Sequence, residues 1–293
     1  MAKLYFLPRT PLKDRDALLR AGWRLEALLV DAFLGLLRIL ALRHATAFSR
    51  ALFRLVGPHS GIATKLLRNL AILHPDEDMP ALRRRGRDSF GWLGVAVAEI
   101  AHIREIRARM DTLVEFEIDP SVRAILADPD RAAVLVTGHV GPWTLTNLIA
   151  GHFRFPLTIV YAPESNPRVR ARILALRSEL PVRLIERDGS MRTLLRELAA
   201  GHKIGLASDV RLDGGDPVPL FGHEMETNTV PARLALRQRC PLVPVTAHRL
   251  PHGRFRIVAE APVDAGDADA SQEARIAHMA RGLSAVYERW IRE

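Results

Sequence analysis

The stretch AAVLVTGHVGPWTLTNLI, residues 132–149, decides the fold. Its first seven residues form a short apolar run that ends in glycine, which is the pattern of a buried strand. The run leads His139 into a turn that contains Gly138 and Gly141. Glycine lets the backbone turn sharply, and an imidazole at a strand end can serve as a base. Taken alone, a histidine in this place is structural at least as often as it is catalytic.

From residue 120 onward, short apolar runs alternate with helical periodicity. The pattern predicts strands at AAVLVTG, LTIVYA, VRLIE, KIGLASD, PLVPVTAHRL and RFRIVAEAP, and helices at 144–152, 167–180, 190–200 and 269–292. Such alternation predicts an α/β fold with a mostly parallel central sheet flanked by helices. In these sheets, working groups lie where strands end, and both His139 and Asp209 occupy that position.

The first hundred residues read differently, with helices predicted at 23–56, 62–73 and 79–103. The most apolar window, LEALLVDAFLGLLRILAL at 25–42, contains Glu26, Asp31 and Arg38. Because a charge in hydrocarbon costs roughly 2.5–3.5 kcal/mol, a helix lying in the membrane interface is favoured over a spanning one. An ordinary buried helix of a soluble domain is the alternative. We predict a basic, apolar membrane-association segment at 1–60 and an α/β domain at 61–293.

Charge and composition narrow the function classes. The formal net charge is +9, and residues 1–60 hold ten Lys or Arg against four acids. A basic surface suits anionic lipid, nucleic acid or an acidic protein, but only 6% of residues are aromatic and no recognition-helix pattern is visible, so we expect no nucleic acid. A single cysteine, Cys240, fits a reducing compartment, and the charged amino terminus does not resemble a secretory signal.

Two further segments have the composition of a site. The first segment, YAPESNPRVRARILALR, concentrates arginines just after a predicted strand. Because arginine binds phosphate with paired hydrogen bonds, the segment predicts a site that holds an anion, and a solvated basic helix is the alternative. The second segment, ASDVRLDGGDPVPLFGHEMETNT, contains a carboxylate at the end of a predicted strand and a turn with two glycines. It also contains the stretch PLFG, which is predicted to form the apolar lip of a pocket. Beyond Asp209, the candidate site residues from these two segments are Glu164, Asn166, Arg168, Arg177, Arg211, Gly214, Gly215, Phe221, Gly222 and Thr227.

Several familiar motifs are missing from the sequence. It lacks the G-x-S-x-G nucleophile elbow of hydrolases and the G-x-x-x-x-G-K-[ST] phosphate loop of NTPases. It also lacks a dinucleotide-binding G-x-G-x-x-G after a strand and the Cys/His spacing of zinc sites. The spacing of Asp209, Asp213 and Asp216 does not match a calcium loop. We therefore expect no cofactor and no metal.

Taken together, LLRNLAILHPDED, RGRDSFGWLGVAVAE with Glu99, VLVTGHVGPW, YAPESNP and SDVRLDGGDPVPLFGHEMETNTVPARLALR resemble the bacterial lipid A biosynthesis acyltransferases of the lauroyl/myristoyl type. These enzymes belong to the wider lysophospholipid acyltransferase-like group. The resemblance covers nearly the whole chain and marks 61–293 as an acyltransferase-like domain.

The resemblance implies an enzyme on the cytoplasmic face of the inner membrane that contributes to lipopolysaccharide synthesis. It would move an acyl chain from acyl carrier protein or coenzyme A to a hydroxyl of an anionic lipid A precursor, or of a related phospholipid or polar lipid. His139 would be the general base. Backbone N–H groups of the turn with Gly138 and Gly141, or Arg177, would stabilise the oxyanion. Trp143 and Phe221 would border an apolar slot for the acyl chain.

One position departs from the resemblance. The family places Asp or Glu after four intervening residues, where this chain has Thr144. Threonine supplies no negative charge to orient the imidazole. Three interpretations stay open: another acid such as Asp209 or Glu164 substitutes, activity is low, or the substrate differs. A catalytically impaired lipid-binding or scaffold protein is the alternative function.

Overall fold

The computed structural model describes residues 16–293. The basic residues Lys3, Arg9, Lys13 and Arg15, and most of the amino-terminal stretch searched for a signal, lie outside the described residues. By contact density the chain forms two compact units. Within the described residues, the helical unit comprises 16–108 together with 163–179, and the sheet unit comprises 109–162 and 180–293. The domain boundary predicted at residue 60 thus falls inside the helical unit.

Helices fill the first part of the described chain, and strands begin at residue 114. The helices are α1 (Asp16–Ile39), α2 (Leu42–Val56), α3 (Ala63–Leu73), α4 (Met79–Ala101), α5 (Ile103–Ala108), α6 (Met110–Leu113), α7 (Pro120–Ala127), α8 (Leu148–Phe153), α9 (Pro167–Arg177), α10 (Met191–Ala199), α11 (Val230–Gln238) and α12 (Gln272–Arg292). The strands are β1 (Val114–Ile118), β2 (Ala133–Thr137), β3 (Leu157–Tyr161), β4 (Arg183–Glu186), β5 (Lys203–Ala207), β6 (Asp216–Leu220), β7 (His223–Thr227), β8 (Leu242–Leu250) and β9 (Arg254–Ala259).

The sheet unit is built on a seven-stranded sheet in the order β1-β9-β8-β2-β5-β3-β4. Five neighbouring strands, β8, β2, β5, β3 and β4, run parallel, whereas β9 runs antiparallel to β8 and parallel to β1. A separate two-stranded hairpin joins β6 to β7. The α/β fold with a mostly parallel central sheet is confirmed.

The core of the sheet unit explains its strand sequences. Every residue of β2 except the last is buried, as expected for a central parallel strand covered on both faces. One face packs against α10, α11 and α12 through an apolar cluster that includes Val134, Leu194, Leu234 and Leu283. These helices show apolar residues at helical spacing, so burying that face holds them on the sheet.

The helical unit packs α1, α2 and α4 around a smaller cluster that includes Leu34, Leu37, Ala45, Ala98 and Leu176. Side-chain hydrogen bonds tie its helices together. Ser49 Oγ donates to the carbonyl of Gly94 at 2.7 Å. The buried ring of His102 lies with Nε2 2.9 Å from the carbonyl of Leu37, in the last turn of α1.

The structure shows where the predicted amino-terminal helices begin and end. The helical pattern predicted at 23–56 is divided into α1 and α2, with the break at Leu40 and Ala41. Within residues 16–293, no helix combines the length and apolar character that crossing a membrane requires.

Candidate active site

The register of two central strands brings the two strand-end candidates together. β2 and β5 are parallel neighbours, and Thr137 pairs with Ala207 at their carboxyl ends. His139 and Asp209 each follow two residues beyond that last pair. Equal spacing beyond a paired parallel position puts the two residues side by side, so the sheet itself juxtaposes them.

Asp209 holds His139 with both carboxylate oxygens. The backbone N–H of His139 donates to Oδ2 at 2.6 Å, and ring Nδ1 lies 2.8 Å from Oδ1. An ionised carboxylate only accepts hydrogen bonds, so Nδ1 donates to Asp209, and in the neutral ring this leaves the lone pair on Nε2. The Asp209 side chain is 14% exposed and that of His139 is 47% exposed. An exposed imidazole ring is therefore held in place by a largely buried carboxylate.

The turn after β2 owes its shape to Gly141. Its φ is +59°, and a Cβ there would lie 2.4 Å from the carbonyl oxygen of Ala247. Gly138 lies against Asp209, with an added Cβ 3.4 Å from the carboxyl group. The chain then enters a 3-10 helix, Trp143–Asn147, and the Trp143 ring lies 5.5 Å from the His139 ring between centroids. Of the three predicted residues in this turn, Trp143 thus lies near the imidazole, Gly138 lies against Asp209, and Gly141 lies against Ala247.

Thr144 lies in the same 3-10 helix, where its carbonyl accepts a hydrogen bond from Asn147 Nδ2 at 3.0 Å. The Nδ1 position that a motif acid would serve is taken by Asp209. The structure thus supplies a carboxylate to the imidazole from the end of β5 rather than from the helix after β2.

Two hydroxyl groups lie beneath this pair. Tyr287 of α12 is buried, and its hydroxyl lies 2.6 Å from Ser208 Oγ and 3.2 Å from the carbonyl oxygen of Thr137. Burial raises the pKa of Tyr287, and the nearby charge of Asp209 raises it further, so the phenol stays protonated. Neither Ser208 nor Tyr287 was predicted as a site residue.

A cleft opens from these hydroxyls into the core of the sheet unit. The cleft is small, with enclosed space for about one water molecule. Apolar side chains form most of its wall, with Ser208, Thr227 and Tyr287 among the polar contributors; the apolar residues include Leu220, Met225, Ala232, Ala280 and Leu283. The predicted apolar lip PLFG contributes Leu220, and the predicted Thr227 also lines the cleft.

The segment between β5 and the hairpin is closed by a tight turn. Gly214 has a φ of +76°, and a Cβ on Gly215 would lie 2.5 Å from the carbonyl oxygen of Thr227. Arg211 is exposed and its guanidinium is held by Glu226, at 2.5 Å and 3.0 Å, with Asp213 at 3.4 Å. The predicted binding residues Arg211, Gly214 and Gly215 thus shape the base of the hairpin.

The tip of the hairpin is formed by Phe221 and Gly222, which both have positive φ, +51° and +75°. A two-residue loop with both residues left-handed is the type I′ turn that suits a twisted hairpin. Such a conformation is costly for a bulky residue. The Phe221 N–H donates to Glu288 Oε1 at 2.6 Å, and the guanidinium of Arg292 lies 5.0 Å from its ring centroid.

Four predicted residues belong to the helical unit instead. Glu164 pairs with Arg177 at 3.4 Å. Asn166 is buried at the start of α9, where its amide donates to the carbonyl of Trp23 at 2.9 Å and to Glu26 Oε2 at 2.8 Å. Its Oδ1 accepts from the N–H of Arg168, whose side chain is exposed. Asn166 therefore fastens α9 to α1, and Glu164 is engaged by an arginine.

Comparison with known protein families identifies one family that matches nearly the whole chain. Residues 13–293 match the family described as bacterial lipid A biosynthesis acyltransferase. The chain belongs to this family. No curated protein matches the chain. Membership in the acyltransferase family supports an acyltransferase activity in lipid A biosynthesis, and the match includes residues of both the sheet unit and the helical unit.

The sequence analysis did not identify two residues next to the His139–Asp209 pair, Tyr287 in α12 and Ser208, whose hydroxyl contacts it. Tyr287 belongs to the same buried stripe of α12 as Met279, Ala280 and Leu283, so its spacing looks like ordinary core. The signal that could have found it is chemical, because a buried tyrosine hydroxyl needs a hydrogen-bond partner. Among residues 16–293, no three His, Cys, Asp or Glu side chains are grouped to hold a metal ion.

Proposed function

We propose that the chain is an O-acyltransferase in which His139 is the general base and Asp209 is its orienting acid. The observation that carries this proposal is the double hydrogen bond from His139 to one carboxylate. The acyl donor would be an acyl thioester of acyl carrier protein or of coenzyme A. The acceptor would be a hydroxyl of a lipid A precursor or a related anionic lipid.

The proposed reaction needs no covalent enzyme intermediate. Nε2 of His139 takes the proton of the acceptor hydroxyl as its oxygen attacks the thioester carbonyl. The tetrahedral intermediate then collapses, the carbon–sulfur bond breaks, and the imidazolium returns the proton to the leaving thiolate. The products are an ester and a free thiol. Asp209 keeps Nδ1 protonated and stabilises the imidazolium, as the acid of a Ser-His-Asp triad does.

The oxyanion and the acyl chain need their own contacts. The His139 N–H already donates to Asp209, so the N–H groups of Val140 and Gly141 are the candidates in this turn. The apolar side chains around the small cleft beside Ser208 are our candidate contacts for the first part of the acyl chain, and they would have to move apart to admit it. Each buried CH₂ contributes roughly 0.8 kcal/mol.

The test of this proposal is acyl transfer by the purified full-length chain. Labelled acyl thioester of acyl carrier protein and lipid A precursor would be supplied to wild type and to His139→Ala. We expect the variant to lose about 10²- to 10⁴-fold in rate. Equal rates would leave the alternative, a lipid-binding or scaffold protein without catalysis.

We further propose that the helical unit docks on the cytoplasmic face of an anionic membrane. Its α1 exposes a stripe at helical spacing on the side opposite its core contacts: Leu18 (46%), Leu25 (59%), Leu28 (65%), Leu29 (61%), Leu36 (39%) and Ile39 (80%). Arg20, Arg24 and Arg38 are exposed on the same helix. An apolar stripe flanked by arginines suits an interfacial helix on anionic headgroups.

Vesicle binding tests this docking. The triple variant Leu25→Gln, Leu28→Gln, Leu29→Gln would be compared with wild type on vesicles containing phosphatidylglycerol. We expect the triple variant to bind at least about 10-fold more weakly, because each leucine loses apolar burial. Met191→Gln is the matched control, since Met191 is 43% exposed in the sheet unit. Equal binding of the triple variant and wild type would contradict the docking surface.

A further inference from the structure

Tyr287 bridges the two chain segments that carry the proposed acid–base pair. Its hydroxyl donates to the carbonyl of Thr137 at 3.2 Å, so the 2.6 Å hydrogen bond with Ser208 is one that it accepts. Thr137 is the last residue of β2 and lies two residues before His139. Ser208 immediately precedes Asp209. One hydroxyl group thus contacts both segments within two residues of the pair.

The position of this bridge matters because the strand ladder ends there. The last paired residues of β2 and β5 are Thr137 and Ala207. One step further, the N–H of Ser208 reaches the carbonyl of Thr137 at 3.4 Å, a long hydrogen bond. Tyr287 bridges the two segments at this same step, and the His139–Asp209 hydrogen bonds join them one residue further on.

Packing alone does not require this hydroxyl. The Tyr287 ring fills the core of α12 and meets the Trp290 ring at 5.6 Å, edge to face. A phenylalanine would fill the same space, and a buried hydroxyl costs free energy unless it is hydrogen-bonded. The hydroxyl is instead fully engaged, with one donated and one accepted hydrogen bond.

We propose that Tyr287 is a positioning residue for acyl transfer: its hydroxyl sets the spacing between Thr137 and Ser208 and thereby the hydrogen bond between His139 and Asp209. This inference rests on the proposed function for its kinetic consequence. Its structural consequence, a looser His139–Asp209 hydrogen bond without the hydroxyl, does not depend on any substrate.

The experiment compares Tyr287→Phe with Trp290→Phe in the full-length chain. Trp290→Phe is a matched control, because Trp290 is also buried in α12 and also loses one hydrogen bond, that of Nε1 to Glu260 at 2.7 Å. For Tyr287→Phe we expect kcat to fall about 10-fold while KM for the acyl donor stays within about twofold, because geometry rather than binding is lost. For Trp290→Phe we expect a lower Tm with kcat close to wild type.

Proton NMR of protein labelled with nitrogen-15 at histidine supplies the second measurement. The Nδ1–H resonance of His139, assigned by its loss in His139→Ala, should broaden and exchange faster with water in Tyr287→Phe but not in Trp290→Phe. An unchanged resonance, or a kcat no lower than that of Trp290→Phe, would overturn the inference. If wild type shows no acyl transfer, the proposed function fails, and the resonance alone still decides whether Tyr287 positions the pair.

Discussion

The two compact units differ in what they expose and what they bury. Of the eighteen large apolar side chains that are exposed in the described part of the chain, fourteen lie in the helical unit. That unit carries 18 Lys or Arg against 11 acids between residues 16–108 and 163–179, whereas the sheet unit carries 20 against 21. Both units bury polar side chains, but two of those in the sheet unit, Ser208 and Tyr287, hydrogen-bond to each other next to the His139–Asp209 pair.

This difference indicates that the two units have different tasks, surface binding in the helical unit and chemistry in the sheet unit. Exposed apolar and basic groups suit a surface that binds a membrane, since contiguous apolar patches mark interaction sites. Buried and hydrogen-bonded polar groups suit a site that must hold reacting atoms in fixed geometry. Changes in the sheet unit should therefore act on stability and rate, and changes in the helical unit on membrane binding.

The largest effect on stability is expected from Gly141→Ala. A side chain there is strained by the φ of +59° and would meet the carbonyl of Ala247 at 2.4 Å. We expect a loss of about 3 kcal/mol or more in the free energy of unfolding, measured by urea denaturation. Gly222→Ala is the matched control, because Gly222 has a φ of +75° with no atom within 4 Å of an added Cβ. It should cost only about 1–2 kcal/mol, and equal losses would show that the close approach to Ala247 is unimportant.

Lys203 gives the sheet unit a pH-dependent stability. Its Nζ donates to the carbonyls of Asp128 at 2.7 Å and Arg131 at 2.9 Å and lies 4.7 Å from the Phe155 ring centroid. Burial lowers the pKa of Lys203 from 10.5 to about 8. Between these values the unfolded chain binds more protons than the folded chain. The contribution of Lys203 to stability therefore rises with pH, by roughly 3 kcal/mol in total.

Urea unfolding of wild type and Lys203→Met across this pH range measures the effect. Burial also raises the pKa of Cys240 to about 11. That shift opposes the Lys203 contribution at alkaline pH, because the unfolded thiol ionises first. Both proteins contain Cys240, so the difference between them isolates Lys203. If the free energy of unfolding changed with pH in the same way in both proteins, the lowered pKa of the buried Lys203 would be contradicted.

Introducing an acid at position 144 should harm rather than help the site. In Thr144→Glu, a second carboxylate would compete with Asp209 for one imidazole and repel it. We expect the acyl-transfer rate to fall about 10-fold, with substrate KM values as the control for binding. An increase in rate would mean that the wild-type enzyme is attenuated and that Asp209 does not replace the missing acid.

The smallest effect is expected in the helical unit from Arg38→Gln. A basic residue near an anionic surface contributes about 1 kcal/mol, which corresponds to about fivefold in binding. The weakening should appear on vesicles containing phosphatidylglycerol and disappear on phosphatidylcholine alone. The same loss on both vesicle types would indicate damage to α1 rather than a lost charge contact.

The parts of the fold with strong periodicity were predictable from sequence. The strands predicted after residue 120 correspond to β2, β3, β4, β5, β8 and β9. Buried strands of a parallel sheet have continuous apolar sequences, which makes them visible in the sequence. The hairpin of β6 and β7 was not predicted, since two prolines, Pro217 and Pro219, obscure its strand pattern. β1 was also missed: its five residues, VEFEI, form an edge strand joined to the sheet through β9 alone.

The candidate site was predictable in its parts but not in its pairing. The strand-end positions of His139 and Asp209 are visible in the sequence, 70 residues apart. Their contact depends on the neighbouring placement of β2 and β5, and strand order is not encoded in local periodicity. For the same reason the sequence alone does not distinguish Asp209 from Glu164, whereas the structure places Asp209 in contact with His139.

The most direct test of the account compares the acyl-transfer rates of Asp209→Asn and Thr144→Val in one assay. Asparagine keeps the size of the side chain but removes the charge that fixes the Nδ1 tautomer. In a Ser-His-Asp triad, the same replacement of the acid lowers turnover by about 10⁴-fold. We expect Asp209→Asn to lose at least about 10²-fold and Thr144→Val to stay within about threefold of wild type. A normal rate for Asp209→Asn, or a severe loss for Thr144→Val alone, would contradict the assignment of Asp209 as the acid that serves His139.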